Sequence, residues 1–171
     1  MASALVYSRL TNISAGTTET RLLPGTQGTD YRGSPTLVGN SLSVGDVFVV
    51  RAWGQYTADG SQLTARFRLY LNFGGGASQI LLADTGAIQV TSDTGNYEWG
   101  FEALVTIRSS GSSGTLWADA ICFNRGVGSA AGILAYSTNV DTTANNTFEL
   151  TGVVSNSVTL SLRQAVIEKV A

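Results

Sequence analysis

The chain has 171 residues, 43% of them hydrophobic and only 13% charged, with a net charge of −2. That length suggests one domain over 1–171 with a sizeable core, and the charged share is about half the usual quarter. Lys169 is the only lysine, so the basic field of a nucleic-acid binder is missing; no apolar run approaches the ~18 residues of a membrane-crossing helix.

Residues 1–14 read as an N-terminal strand or arm, with Leu5–Ile13 the strand candidate. Met1-Ala2-Ser3-Ala4 lacks the basic and apolar regions of a signal peptide, which predicts synthesis in a cytoplasm and use without secretion. Thr17–Leu23 is a short edge-strand candidate. Residues 24–40 hold both prolines and show no periodicity, which predicts an ordered irregular loop.

Asp46–Phe73 carries the clearest pattern. Leu63, Ala65, Phe67, Leu69, Leu71 and Phe73 alternate with Thr64, Arg66, Arg68, Tyr70 and Asn72, as on a strand with one buried face. Asp59-Gly60 is a two-residue turn signal. A hairpin there would set Phe48 against Leu71 and Val50 against Leu69, with Trp53 against Arg66 and Arg51 against Arg68 outside. The competing arrangement sends the second strand to an opposite sheet; it keeps the facing and discards the pairs.

Gly74-Gly75-Gly76 ends this segment. Ile80–Ala83 and Ala87–Val90 follow, split by a turn at Asp84-Thr85-Gly86. Asp93-Thr94-Gly95-Asn96 also reads as a turn. Tyr97–Ser109 is a patterned strand: Tyr97, Trp99, Phe101, Ala103, Val105 and Ile107 inward, Glu98, Glu102, Thr106 and Arg108 outward. Thr115–Asn124 is apolar on both faces, with Leu116, Ala118, Ala120 and Cys122 on one and Trp117, Ile121 and Phe123 on the other. A strand of that kind is covered on both sides, by a loop or by another subunit. Gly132–Val140, Asn146–Val153 and Val158–Val170 complete the strands. In the last, the apolar parity slips near Arg163-Gln164, the mark of a β-bulge. No segment shows helical periodicity. Roughly eight to ten strands predict an all-β, antiparallel β-sandwich of jelly-roll type.

The inventory for chemistry is thin. The chain has no histidine, which removes Ser-His-Asp and Cys-His activation and His-bearing metal sites. The single cysteine, Cys122, reads as a buried small apolar residue. Glu98 and Glu102 share a face but stand about 13 Å apart along a strand, beyond the ~9.5 Å limit of a glycosidase pair. Asp84-Thr85-Gly86 occurs once and reads as a turn. No enzymatic role, catalytic residue, metal or cofactor is therefore expected. Trp53, Tyr70 and Trp117 could stack on sugars, but subunit or core packing is the plainer reading.

The succession SLSVGDVFVVRAWGQY, LTARFRLYL, ILLADTGAI and YEWGFEALVTIRSSGSSGTLWA resembles a β-domain of tailed-bacteriophage virion proteins. The resemblance covers about 42–124 and implies a jelly roll assembled as a homotrimer. Such domains occur as capsid decoration (cement) proteins and as fibre or tailspike heads. A chain of this length without coiled coil or shaft fits the former: a protein at the virion surface that binds the major capsid protein and stabilises the mature head. The alternative is a receptor-binding head that recognises host surface glycan. The expected oligomer contacts are Trp53, Arg66, Arg68, Glu98, Glu102, Trp117, Ile121 and Phe123, with Trp53 and the arginines meeting outward acids such as Glu98 or Glu102 of the same or a neighbouring chain. The expected capsid contacts are Tyr31, Arg32, Leu37, Leu5 and Tyr7.

Overall fold

The computed structural model describes residues 4–13, 18–23, 36–60, 63–72, 79–91, 93–124 and 130–171; for 4–13, 93–95 and 130–137 it describes backbone alone. The strands are β1 (Ala4–Ile13), β2 (Thr20–Arg21), β3 (Thr36–Leu37), β4 (Val47–Ala58), β5 (Leu63–Leu71), β6 (Ile80–Asp84), β7 (Ile88–Val90), β8 (Asp93–Ser109), β9 (Gly114–Asn124), β10 (Ala130–Val140), β11 (Asn146–Val154) and β12 (Val158–Lys169). These exceed the expected number because of the very short β2, β3 and β7. No helix occurs among the described residues.

The strands form two antiparallel sheets. The front sheet has the order β1-β12-β4-β8-β9-β10; the back sheet has β2-β11-β5-β6, with β3 also on β11 and β7 also on β5. The molecule is an all-β antiparallel β-sandwich. The chain crosses between layers after β1, after β3, after β4, after β7, and on both sides of β11. The hairpin expected at Asp59-Gly60 does not form. Gly60 has φ 134, yet the Asp59 amide donates to Ser157 O and the chain passes to the back sheet. The expected cross-strand pairs give way to Phe48 beside Val105 and Lys169, and to Leu71 beside Phe148 and Ile80. The inward and outward facing survives. Alternation is a property of the single strand, whereas pairing is chosen by the topology.

Inward side chains of both layers fill the core. Across it, Phe48 meets Phe148 at 5.8 Å between ring centroids, and Phe67 meets Trp99 at 4.6 Å. Within the front sheet, Tyr56 and Tyr97 stand opposite each other and stack at 5.5 Å. Such ring pairs add about 0.5–1.5 kcal/mol beyond burial. Tyr56 Oη donates to Asn124 Oδ1 at 3.0 Å, so the buried phenol keeps a partner. Gly54 is required for a close approach: a Cβ there would lie 1.9 Å from Ser161 O and 2.5 Å from the Trp99 indole nitrogen.

Two local expectations change. Residues 93–96 belong to β8 and not to a turn, because β8 runs on to pair Asp93 with Ala58. Residues 24–40 are not wholly irregular: β3 pairs Thr36 with Thr147 and Leu37 with Asn146. The strand read at Leu5–Ile13 is present as the edge strand β1, paired with β12. The bulge read from the parity slip is present in β12 at Arg163, between the pairs Leu162–Gly54 and Gln164–Trp53. The triple-glycine stretch lies outside the described residues.

Candidate functional site

The side chains singled out in the sequence fall on two opposite outer faces. Trp53, Glu98, Glu102, Trp117, Ile121 and Phe123 share the outer face of the front sheet; Arg66 and Arg68 lie on the outer face of the back sheet. The expected meeting of those arginines with Glu98 and Glu102 within one chain is therefore ruled out by topology. On the front face Glu102 instead meets Arg51, directly opposite it, whose Nε donates to Oε2 at 2.7 Å. Both partners are about two-fifths exposed, so the pair contributes little.

Cross-strand register orders the front face. Trp53, Gly100 and Phe123 form one row across β4, β8 and β9. Gln55 and Glu98 form the next outward row, one strand repeat of about 7 Å away. Gly100 matters because the Phe123 ring lies over it: a Cβ at Gly100 would be 2.0 Å from that ring. Farther along β9, Trp117 is 47% exposed, Ile121 44% and Phe123 41%, with Leu104 of β8 at 45%. Their neighbours on β10 are small: Ser137 beside Trp117, Gly132 beside Ile121, Ala130 beside Phe123. The other face of β9 is core, with Cys122 buried. Burial pushes its thiol up to about 12, which leaves it protonated and unreactive at neutral pH.

The back face is a charge network that the sequence reading missed. Asp84 accepts from Arg66 through both carboxylate oxygens, from Arg68 Nε at 3.1 Å and from the Gly86 amide at 2.8 Å. Burial pushes its pKa up, but the hydrogen bonds from Arg66, Gly86 and Arg68 outweigh burial and hold it at about 2. Glu19, arriving beside β2, accepts from Arg68 Nη1 at 2.8 Å and from the Tyr70 and Thr151 hydroxyls. Tyr70 is consequently buried and cannot stack on a sugar. Arg21 Nε lies 2.7 Å from Glu149 Oε2 but is not aligned as a donor to it, leaving that buried oxygen without a hydrogen bond. Burial raises the Glu149 pKa, and Arg21 opposes the rise.

Of the expected capsid contacts, Leu37 points into the core and is unavailable. Leu5 and Tyr7 lie on β1, whose backbone alone is described, and Tyr31 and Arg32 lie outside the described residues. Among the described residues no group of three metal-ligating side chains converges. Two hollows adjoin on the front face beside the Trp53 row, and a polar one sits at an end of the sandwich, near Asn72, Asn139 and Asp141. In the latter, the Asn72 and Asn146 amides bond to each other and to nearby backbone, so their role there is to tie down a loop. The chain matches no protein-family model, and no curated protein matches it significantly.

Proposed function

We propose that this chain is a structural protein of a bacteriophage virion, a jelly-roll decoration protein that binds the major capsid protein as a homotrimer and stabilises the mature head. The observation that carries the reading is the strip Leu104, Trp117 and Ile121. Three large apolar side chains stand exposed around Asp119 on this face, and sister copies or a shell would cover them. The ordered motifs over 42–124 and the lack of histidine support a mechanical and not a catalytic role. A protein that binds the assembled shell and not its free subunits adds its binding free energy to shell stability.

The test is sedimentation followed by rebinding. The expected result is a trimer at micromolar concentration that cosediments with purified heads lacking this protein and raises their disruption temperature. Trp117→Glu with Ile121→Glu should abolish trimer or head binding while leaving a folded chain. A stable monomer that leaves the heads unaltered would overturn the proposal.

A further inference from the structure

We infer that the hollow beside the Trp53 row is a saccharide-binding site. This goes beyond the virion reading and stands or falls separately from it. The hollow encloses about 300 Å³. One wall is aromatic: Trp53 and Phe123 rise from β4 and β9 on either side of Gly100, and the Phe123 ring closes over the glycine. The opposite wall is the row of Gln55 and Glu98. The floor is β4 at Gly54 and β8 at Trp99.

The β12 bulge supplies the last group. At Arg163 the register with β4 slips by one residue, and the extra side chain stands over the face. Its Nη2 donates to Gln55 Oε1 at 2.6 Å. A second hollow of about 290 Å³ shares Gln55 and Arg163 and is bordered by Thr57, Asn96, Thr159 and Ser161. Amide, carboxylate, guanidinium and hydroxyl groups thus run continuously along one side of the Trp53–Phe123 wall.

A pyranose ring has the matching chemistry. Its C–H face is apolar and packs on an aromatic ring, while its hydroxyls ring the edge and each can donate and accept. Planar groups such as Gln, Glu and Arg meet adjacent hydroxyls with two atoms at once. Sites of this kind combine apolar walls with a few placed polar groups. Glu98 and Arg163 offset each other in charge, which favours neutral sugars over uronic or sialic acids. Two adjoining hollows suit an oligosaccharide of at least two units.

The experiment titrates the full chain with neutral oligosaccharides of two to four hexose or N-acetylhexosamine units, read by saturation-transfer NMR and tryptophan fluorescence. At least one should bind with a Kd below about 1 mM. Trp53→Ala should weaken it by about tenfold or more, whereas Trp117→Ala, on the same face outside the hollow, should change it less than about twofold. Circular dichroism checks the fold of each variant, and Arg163→Ala, at an exposed bulge, repeats the test should Trp53→Ala unfold. No binding to any sugar, equal loss in Trp117→Ala, or binding confined to nucleotides or peptides would overturn the inference.

Discussion

Replacing Asp84 by Asn tests whether the back-face network stabilises the fold. The change keeps the shape of the side chain and an oxygen for the Gly86 amide, but removes the charge that faces Arg66 and Arg68. Asp84 is held at about 2 in the folded protein, against roughly 3.9 when unfolded, and that gap corresponds to about 2.5 kcal/mol. Arg66 is 38% exposed, so solvent screening reduces the figure, and we expect a loss of about 1–2 kcal/mol at pH 7. The sign follows from the depressed pKa. The stabilisation is complete above about pH 4 and disappears as the pH falls through about 2. Urea unfolding of both proteins at pH 7, 4, 3 and 2 should show two curves that converge toward acid. A pH-independent difference, or one below about 0.5 kcal/mol at pH 7, the range of an ordinary surface substitution, would refute the reasoning.

Glu149→Gln should act oppositely. Burial raises the Glu149 pKa, so its charge weakens the fold at neutral pH; the variant should show a higher urea midpoint at pH 7, a gain that fades as the pH falls through the raised folded pKa and is gone below about pH 4. Gly54→Ala drives a Cβ into the Ser161 carbonyl, which is backbone and cannot swing aside. Its urea midpoint should fall by the equivalent of about 3 kcal/mol or more, the upper end for an overpacked core. Removing residues 1–13 strips β1 from β12 and leaves a long unpaired edge in the front sheet; light scattering should show that variant growing with concentration into aggregates larger than any species the full chain forms.

The facing of each long strand was legible because side-chain alternation needs only local sequence. The inward set of Tyr97–Ile107, the core face of Thr115–Asn124 and the slip at Arg163 all came from that signal and all appear in the fold; the second apolar face of Thr115–Asn124, expected to be covered, stands exposed. Partners across strands were not legible. Asp59-Gly60 carries the letters of a hairpin, but nothing local says that the next strand joins the other layer. Arg51 and Arg68 consequently looked like repelling neighbours, whereas they lie on opposite faces beside Glu102 and Asp84. Asp93–Asn96 has turn residues, yet Ala58 draws it into β8. Leu37 sat in an unpatterned stretch and gave no sign of the two-residue strand that buries it. The aromatic-and-polar hollow depends on Gly100, Phe123 and a bulge 40 residues farther on, three features that only register brings together.

The position of β12 between β1 and β4 has a kinetic consequence. Both partners are made before it, so the front sheet stays divided until β12 leaves the ribosome. Pairing strands so far apart in sequence is slow, and two open sheet edges wait in the meantime. Newly made copies should therefore be at their most vulnerable to mispairing with one another before β12 emerges, and coexpressed chaperones should improve soluble yield more than they improve the stability of the finished molecule.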